Sequence, residues 1–371
     1  MCRVITKAAF LCLAASATAS PLARRSFNNN VADEFENIDD FPNPSAEQLL
    51  GTEQNAHGTL SNSTPPASVD PDTIRSLQVI ASQEQFEAAF FQQLLTNVTN
   101  DVTGFYIADG PSKESTVRAL TAIVAQEELH ALDAMNALEH FGETPIAPCL
   151  YNFPVSTLKE AITLAQTFTS VVLGTLQNVV VNMAKNGDFA LTQDISSVIG
   201  QEGEQQGWFR LLNKQIPSEL PFLTNSVRDF AFNALNQNFI VPGSCPNLHQ
   251  IAALTELHEM GPLTVVKTFD PSEEDDETVH LSFDLSPGAN PSDYMVAYIN
   301  QQNIPFALPF TEVKHEGDYG LLVEAPFPYK EHLLNGLTIL AIVPASANQN
   351  LTDNQAVADL TFAGPGLVIV N

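Results

Sequence analysis

The segment Glu127-Glu128-Leu129-His130 lies in the middle of a long stretch with helical periodicity. Because residues three positions apart project from the same face of an α-helix, Glu127 and His130 point in one direction. In four-helix bundles, such a Glu-x-x-His unit combines with Glu residues of other helices to bind metal ions. Glu84 lies one predicted helix upstream and Glu202 two predicted helices downstream. This pattern therefore favours a helical bundle with acidic residues near the middle of its helices.

Helical periodicity extends from Asp70 to about Asn238. The link between the second and third predicted helices, residues 142–155, is roughly 45 Å long when extended. A helix of about 26 residues is about 39 Å long, so the link can return along the whole length of such a helix. The tight Asn186-Gly187 turn makes the next two helices antiparallel neighbours. We expect a four-helix bundle with a long crossover, and the predicted helices span 70–97, 115–141, 157–186, 189–215 and 225–238.

Beyond Pro246 the sequence changes to short runs of β-branched and aromatic residues separated by turn residues. Seven such runs indicate a β-sandwich with a general architecture like that of immunoglobulin domains. The predicted fold class is therefore α+β and multidomain, with a helical bundle followed by a C-terminal β-sandwich. The predicted strands span 263–269, 278–285, 294–300, 305–313, 318–325, 336–343 and 357–370.

The N-terminus has the pattern of a secretory signal peptide. Basic residues precede an apolar run that is too short to span a bilayer, and small residues follow it. Arg24-Arg25 resembles a processing site, and the next residues are polar and acidic without periodicity. The predicted organisation is a signal peptide at 1–19, a propeptide or disordered acidic linker at 20–69, the bundle at 70–245 and the β-sandwich at 246–371.

The chain has 15 Lys and Arg residues against 43 Asp and Glu residues, a formal net charge of −28. Such a surface repels phosphate backbones and anionic lipid headgroups. We therefore expect no nucleic-acid partner. No segment after the predicted signal peptide has 18 uninterrupted apolar residues, so we also expect no membrane span, and the signal peptide predicts a secreted or cell-wall location. A homo-oligomer is compatible with the sequence.

Cys149 and Cys245 are the only cysteines that remain after removal of the predicted signal peptide. In an exported protein we expect them to form a disulfide, and two buried free thiols are the alternative. N-glycosylation sequons begin at Asn62, Asn97 and Asn350, all at predicted loops or helix ends.

Each candidate metal ligand also has a plainer interpretation. Glu84 and Glu202 lie in polar stretches that suit an exposed helix face, and Glu127 with His130 suits a surface ion pair. The positions of these residues favour a shared site, because Glu84, Glu127 and Glu202 each lie near the middle of a predicted helix. If they bind no metal, a hydrogen-bonded network that includes Gln201 and Gln205 is expected instead.

Residues 70–245 resemble secreted ferritin-like proteins, a group that includes fungal late-sexual-development and stress-response proteins and the plant desiccation-related proteins. The β domain is most similar to the fungal branch. The segments that carry the resemblance are Ser82–Phe91, Ala125–Asp133, Leu173–Gln177 and Gly200–Arg210.

By matched position, the resemblance implies Glu84, Glu127, His130 and Glu202 as metal ligands. Two expected ligands are missing: Gln205 replaces a His, and the third helix has no acid around Thr169. Phe91 also occupies a place where many relatives have Tyr. Three carboxylates and one His suit at most a single Fe, Mn or Zn ion, so the expected cofactor is none or one such ion.

Two functions follow. In the first, which the missing ligands favour, a protein of fungal sexual development or stress response keeps the bundle as a scaffold with a degenerate metal site. It is not an enzyme, and it binds a cell-wall or extracellular-matrix partner. In the second, an oxidoreductase with one or two Fe or Mn ions acts on peroxide, O₂ or metal ions.

Overall fold

The structure, a computed structural model, describes residues 40–107, 110–272, 277–317 and 319–370. The predicted α+β class is confirmed, because a helical bundle precedes two four-stranded antiparallel sheets. The predicted signal peptide and Arg24-Arg25 lie outside the described residues. The helices are α1 (Ala46–Ala56), α2 (Pro71–Thr99), α3 (Lys113–His140), α4 (Leu158–Asn186), α5 (Phe189–Leu212), α6 (Arg228–Asn238), α7 (Ala252–Thr255), α8 (Tyr329–His332) and α9 (Asn354–Leu360). The strands are β1 (Thr264–Lys267), β2 (Thr278–Asp284), β3 (Tyr294–Asn300), β4 (Phe306–Leu308), β5 (Glu312–Glu316), β6 (Gly320–Pro326), β7 (Gly336–Pro344) and β8 (Ala363–Val370).

Local sequence signals set the ends of the four bundle helices, α2 to α5. The Asp70 side chain accepts a hydrogen bond from the first turn of α2, where Pro71 needs no N–H partner. Thr157 and Glu160 cap α4 reciprocally. Gly187 ends α4 with a φ of 87°, so α5 begins two residues later and lies antiparallel beside α4.

The predicted long crossover between α3 and α4 is present, and its first part contacts α2. The side-chain amide of Gln78 donates to the carbonyl of Thr144 at 2.8 Å, and that of Gln85 donates to the carbonyl of Ile146 at 3.0 Å. Both glutamines are buried. These bonds satisfy backbone carbonyls of the crossover and fix its path.

Aromatic side chains fill the bundle between α2, α4 and the crossover. The rings of Phe86 and Phe90 lie edge to face against Phe168, with centroids 5.1 and 5.0 Å away. By length and composition α4 is apolar enough to cross a membrane, but 67% of its most apolar window is buried inside the protein. That is the position of a core helix.

The expected disordered linker at 20–69 is wrong for residues 46–56, which form α1. Ser45 and Gln48 cap its start reciprocally, and Ala56 packs on Leu129 and Leu132 of α3. This helix is only 11 residues long, so its stability comes from tertiary contact with α3.

The eight strands within the described residues form two sheets with the orders β1-β2-β6-β5 and β4-β3-β7-β8. The predicted single strand at 305–313 is wrong, because Pro309 separates β4 from β5 and the two join different sheets. The predicted strand at 357–370 is also wrong in its first part, where α9 forms with Asp353 as its cap.

The β-sandwich packs directly on the bundle. Val171 of α4 and Phe230 of α6 share an apolar cluster with Ile339 and Ala341 of β7. Because β7 lies between the other sheet and the helices, all but the last of its residues are buried. Ile251 and Leu254, which follow the predicted boundary at 245/246, pack in the bundle core, and the strands begin only at β1.

Candidate metal centre

Four ionisable side chains meet at the middle of the bundle, and a fifth, Glu87, lies near enough for the charges of three of them to act on it. Glu84 and Glu87 come from α2, Glu127 and His130 from α3, and Glu202 from α5. Single ligand atoms of Glu84, Glu127, His130 and Glu202 all lie within 4.8 Å of one another. The structure therefore brings together the four residues that the sequence singles out. We refer to all five side chains as the acidic cluster.

The acidic cluster is shielded from water. The residues Glu84, Glu87, Glu127 and Glu202 are at most 1% exposed, and the His130 side chain is 15% exposed. An isolated buried carboxylate costs several kcal/mol. Each carboxylate therefore needs hydrogen-bond donors, a proton or a cation.

Glu127 receives hydrogen bonds at both carboxylate oxygens. Its Oε2 lies 3.1 Å from Nδ1 of His130, and its Oε1 accepts from the Gln205 amide at 2.6 Å. Nδ1 of His130 also lies 3.4 Å from Glu84 Oε2. Burial acts to lower the pKa of His130, but the Glu127 and Glu84 carboxylates outweigh it and raise that pKa well above its usual value.

Three other carboxylates accept no hydrogen bond. Within the described residues, neither oxygen of Glu84, Glu87 or Glu202 has a hydrogen-bond partner, and Glu84 has only the 3.4 Å ion-pair contact with His130. We call these three side chains the unbonded carboxylates. Burial raises the pKa of Glu84 to about 7. Burial, and then the charges of neighbouring carboxylates, raise the pKa of Glu87 and of Glu202 well above its usual value. The expected polar network thus forms around Glu127 and does not extend to Glu202.

Glu87 is the member of the cluster that the sequence interpretation missed. It follows Glu84 by three positions, so the rule that places Glu127 and His130 on one face also places these two on one face. Its charge interacts most strongly with that of Glu202 and then with those of Glu127 and Glu84. The three carboxylates and one His expected from the sequence are the group that could hold an ion, and Glu87 adds a fourth buried carboxylate near them.

A second layer of amides holds the cluster in place. Oε1 of Gln126 accepts from the side chains of Gln201 at 2.9 Å and Gln205 at 3.2 Å. The Gln126 amide donates to the carbonyl of Ala56 at 3.3 Å. The end of α1 is thereby linked through α3 to α5.

A partly enclosed cavity of about 240 Å³ lies beside the cluster. Its walls come mainly from α2, α3, α5 and residues 59–61, and they include Glu84 and His130. Asp133 and Asp194 also line it. Burial, followed by a hydrogen bond with Asp194, raises the pKa of Asp133 to about 7.

The cluster offers carboxylate oxygens and an imidazole nitrogen, which together suit divalent Fe, Mn or Zn. The unbonded carboxylates have the free oxygens that such an ion requires. A family model described as a ferritin-like domain matches residues 72–215. Residues 72–215 form a ferritin-like domain. A comparison with curated proteins found no significant match.

The departures from the expected ligand set lie inside this ferritin-like domain. Gln205, in place of a His, is buried and donates to Glu127. Thr169 is buried in α4, and its hydroxyl has no partner among the residues that the structure describes. Phe91 stacks on Phe209 with ring centroids 5.4 Å apart. Where a phenol is expected, the domain therefore has an apolar contact.

Two kinds of covalent feature are predicted outside the cluster, a disulfide and glycosylation sites. The disulfide between Cys149 and Cys245 is confirmed, and it joins the crossover to the segment after α6. Asn62 and Asn350 are exposed, and Asn97 is half-buried in the last turn of α2. Glycosylation at these three positions stays a prediction.

Proposed function

We propose that this protein is an extracellular metalloprotein whose ferritin-like domain binds a divalent Fe, Mn or Zn ion through Glu84, Glu127, His130 and Glu202. The observation that carries the proposal is the set of unbonded carboxylates. Their oxygens lie in the protein interior, beside a fourth carboxylate and an imidazole.

A cation explains this arrangement better than protons do. Protonation of a buried carboxylate removes its charge but creates an O–H donor that needs an acceptor. One divalent ion instead satisfies oxygens of several carboxylates at once, and it favours their charged forms. The cost of assembling like charges in the interior is then offset by the ion.

The side chains of the cluster also determine how an ion is taken up. Burial and neighbouring charges raise the pKa values of the unbonded carboxylates, and the carboxylates of Glu127 and Glu84 raise that of His130, so these groups bind protons more readily than exposed ones do. Ligands must lose their protons to bind a metal, so uptake releases protons and weakens at low pH.

The cavity favours an oxidoreductase over a pure scaffold. Bound Fe or Mn supplies redox chemistry towards O₂, peroxide or other metal ions. The largely apolar walls limit water around Glu84 and His130, and Asp133 with Asp194 attracts cations and disfavours anionic molecules. A scaffold needs no cavity at this place.

The biological setting is proposed from the sequence. The predicted signal peptide, the disulfide and the sequons support export. The resemblance to fungal late-sexual-development and stress-response proteins supports a role in development or stress, with a cell-wall or matrix partner.

Metal content separates the metalloprotein from the scaffold. Protein from a secretory host is analysed for Fe, Mn and Zn as wild type, Glu202→Gln and Glu204→Gln. Glu204 is exposed two positions from Glu202 and serves as the matched control. We expect bound metal in the wild type and Glu204→Gln and a clear loss in Glu202→Gln. Equal metal content in all three would show that the cluster is not the site.

A further inference from the structure

The cavity of about 240 Å³ beside the acidic cluster has a polar mouth and an apolar interior. The lining residues that are exposed mark the mouth, and they are Thr59, Ser61, Asp194 and Ser197. Buried aliphatic side chains form the interior, among them Leu77, Ile80, Leu176 and Ile195. Pockets for drug-sized ligands measure roughly 300–1,000 Å³, so this cavity suits a smaller organic molecule.

The polar groups of the cavity wall are mainly hydrogen-bond acceptors. Gln201 lines the cavity, and its amide nitrogen donates to Oε1 of Gln126 at 2.9 Å. Its amide oxygen is buried and has no hydrogen-bond partner within the described residues, and the same is true of both oxygens of Glu84. Asp133 and Asp194 add two carboxyl groups, whereas the hydroxyls at the mouth can donate or accept. A molecule that complements this wall must therefore donate hydrogen bonds.

The charge of the wall favours a cation at the mouth. Among the described residues that line the cavity there are three carboxyl groups, one imidazole and no Lys or Arg. Asp133 follows His130 by three positions on α3, which is about 4.5 Å along the helix axis. A positive group held by Asp133 and the exposed Asp194 is therefore separated from the proposed metal ligand His130 by nearly one helical turn.

We propose that this cavity binds a small aliphatic amine, with its ammonium group at Asp133 and Asp194 and its hydrocarbon chain among the aliphatic side chains of the interior. An ammonium group has three N–H donors and no acceptor, which complements a wall of acceptors. Each methylene group buried in the interior strengthens binding about fourfold. The inference rests on the proposed function, because Glu84 and His130 in the same wall are proposed metal ligands. It names the class of organic molecule that reaches them.

The test is a titration of the full chain with hexylammonium, followed by ligand-observed nuclear magnetic resonance, before and after the addition of Zn²⁺. Hexan-1-ol and hexanoate carry the same chain with a neutral or a negative end, and methylammonium carries the charge without the chain. We expect hexylammonium to bind at least about tenfold more tightly than each of these three.

Two pairs of variants locate the bound amine. Asp194→Asn should weaken hexylammonium binding about tenfold, because it removes a charged acceptor. Glu204→Gln, exposed on the same helix and not part of the cavity wall, should bind as the wild type does. Ser197→Phe places a large ring at the mouth and should abolish binding, whereas the exposed neighbour Ser196 does not line the cavity, so Ser196→Phe should retain it. Thermal unfolding checks that the variants fold.

Failure of this inference and failure of the proposed function give different results. Equal affinity for hexylammonium and hexanoate overturns the amine site, and so does unchanged binding in Asp194→Asn and Ser197→Phe, whatever the metal content. Hexylammonium that binds no more tightly than methylammonium marks a surface contact and overturns the cavity as the site. Selective amine binding by a protein that takes up no metal keeps the amine site and overturns the proposed function. The ligand series on the wild type decides even if a variant folds poorly.

Discussion

Without metal, the bundle is expected to lose stability as the pH rises. In the folded protein, burial raises the pKa of Glu84 from 4.5 to about 7, and the unfolded chain keeps the lower value. Because the folded pKa is the higher one, this contribution is fully present below pH 4.5 and is lost as the pH rises through 7. Each pKa unit corresponds to about 1.4 kcal/mol, so Glu84 alone changes the free energy of unfolding by about 3 kcal/mol.

The other members of the cluster act in the same direction. The pKa values of Glu87, Glu202 and His130 are also raised in the folded protein. The assay is urea denaturation of chelator-treated protein, followed by far-UV circular dichroism near pH 4.5 and well above pH 7. The decrease in the free energy of unfolding should be smaller in Glu84→Gln than in the wild type by about 3 kcal/mol. The exposed control Glu204→Gln should behave as the wild type does.

Divalent metal should remove most of this pH dependence, because a bound ion keeps the carboxylates charged without penalty. A free metal concentration one hundred times the dissociation constant stabilises the folded protein by about 2.7 kcal/mol. The reasoning is refuted if metal-free wild type and Glu84→Gln lose equal stability on raising the pH. It is also refuted if the metal-free protein is more stable above pH 7 than near pH 4.5.

Three further predictions concern the scaffold, and each is checked by urea denaturation against the wild type. Gly174→Ala should lower the free energy of unfolding by about 2 kcal/mol. Although Ala favours helices, its Cβ would lie 2.3 Å from the carbonyl oxygen of Thr224. Unchanged stability would contradict this close approach. Replacing both Cys149 and Cys245 by Ser should cost about 4 kcal/mol in the chain-entropy model, since they are 96 residues apart; no loss would mean that the disulfide does not form. Glu219→Ala should cost about 2 kcal/mol, because this carboxylate accepts bonds from α4, α5 and the backbone of β7; a neutral result would argue against a fixed interface between bundle and sandwich.

Strong local signals explain what could be predicted from the sequence. The caps at Asp70, Thr157 and Gly187 fixed the ends of long helices with an apolar period. Once those ends were placed, Glu84, Glu127, His130 and Glu202 fell at one level of the bundle. Helix geometry placed these residues at one level, and the resemblance to ferritin-like proteins implied that they face one another as ligands.

The features that could not be predicted depend on tertiary structure. α1 is too short to be stable by itself, and its contact with α3 is not visible as a periodic pattern. Glu87 stands between Phe86 and Ala88 and is not part of the ligand pattern that the resemblance implies, so its burial near the cluster is visible only in the structure. The early part of the predicted strand at 357–370 is apolar enough for a strand, but the Asp353 cap directs it into α9.

Anomalous diffraction from crystals of protein purified by its secretory route tests the central claim most directly. Data collected on both sides of the Fe, Mn and Zn absorption edges identify an ion and place it among the side chains. We predict an anomalous peak bound by Glu84, Glu127, His130 and Glu202. The absence of any peak, with these carboxylates bonded only to water or to one another, would contradict the assignment of a metal centre.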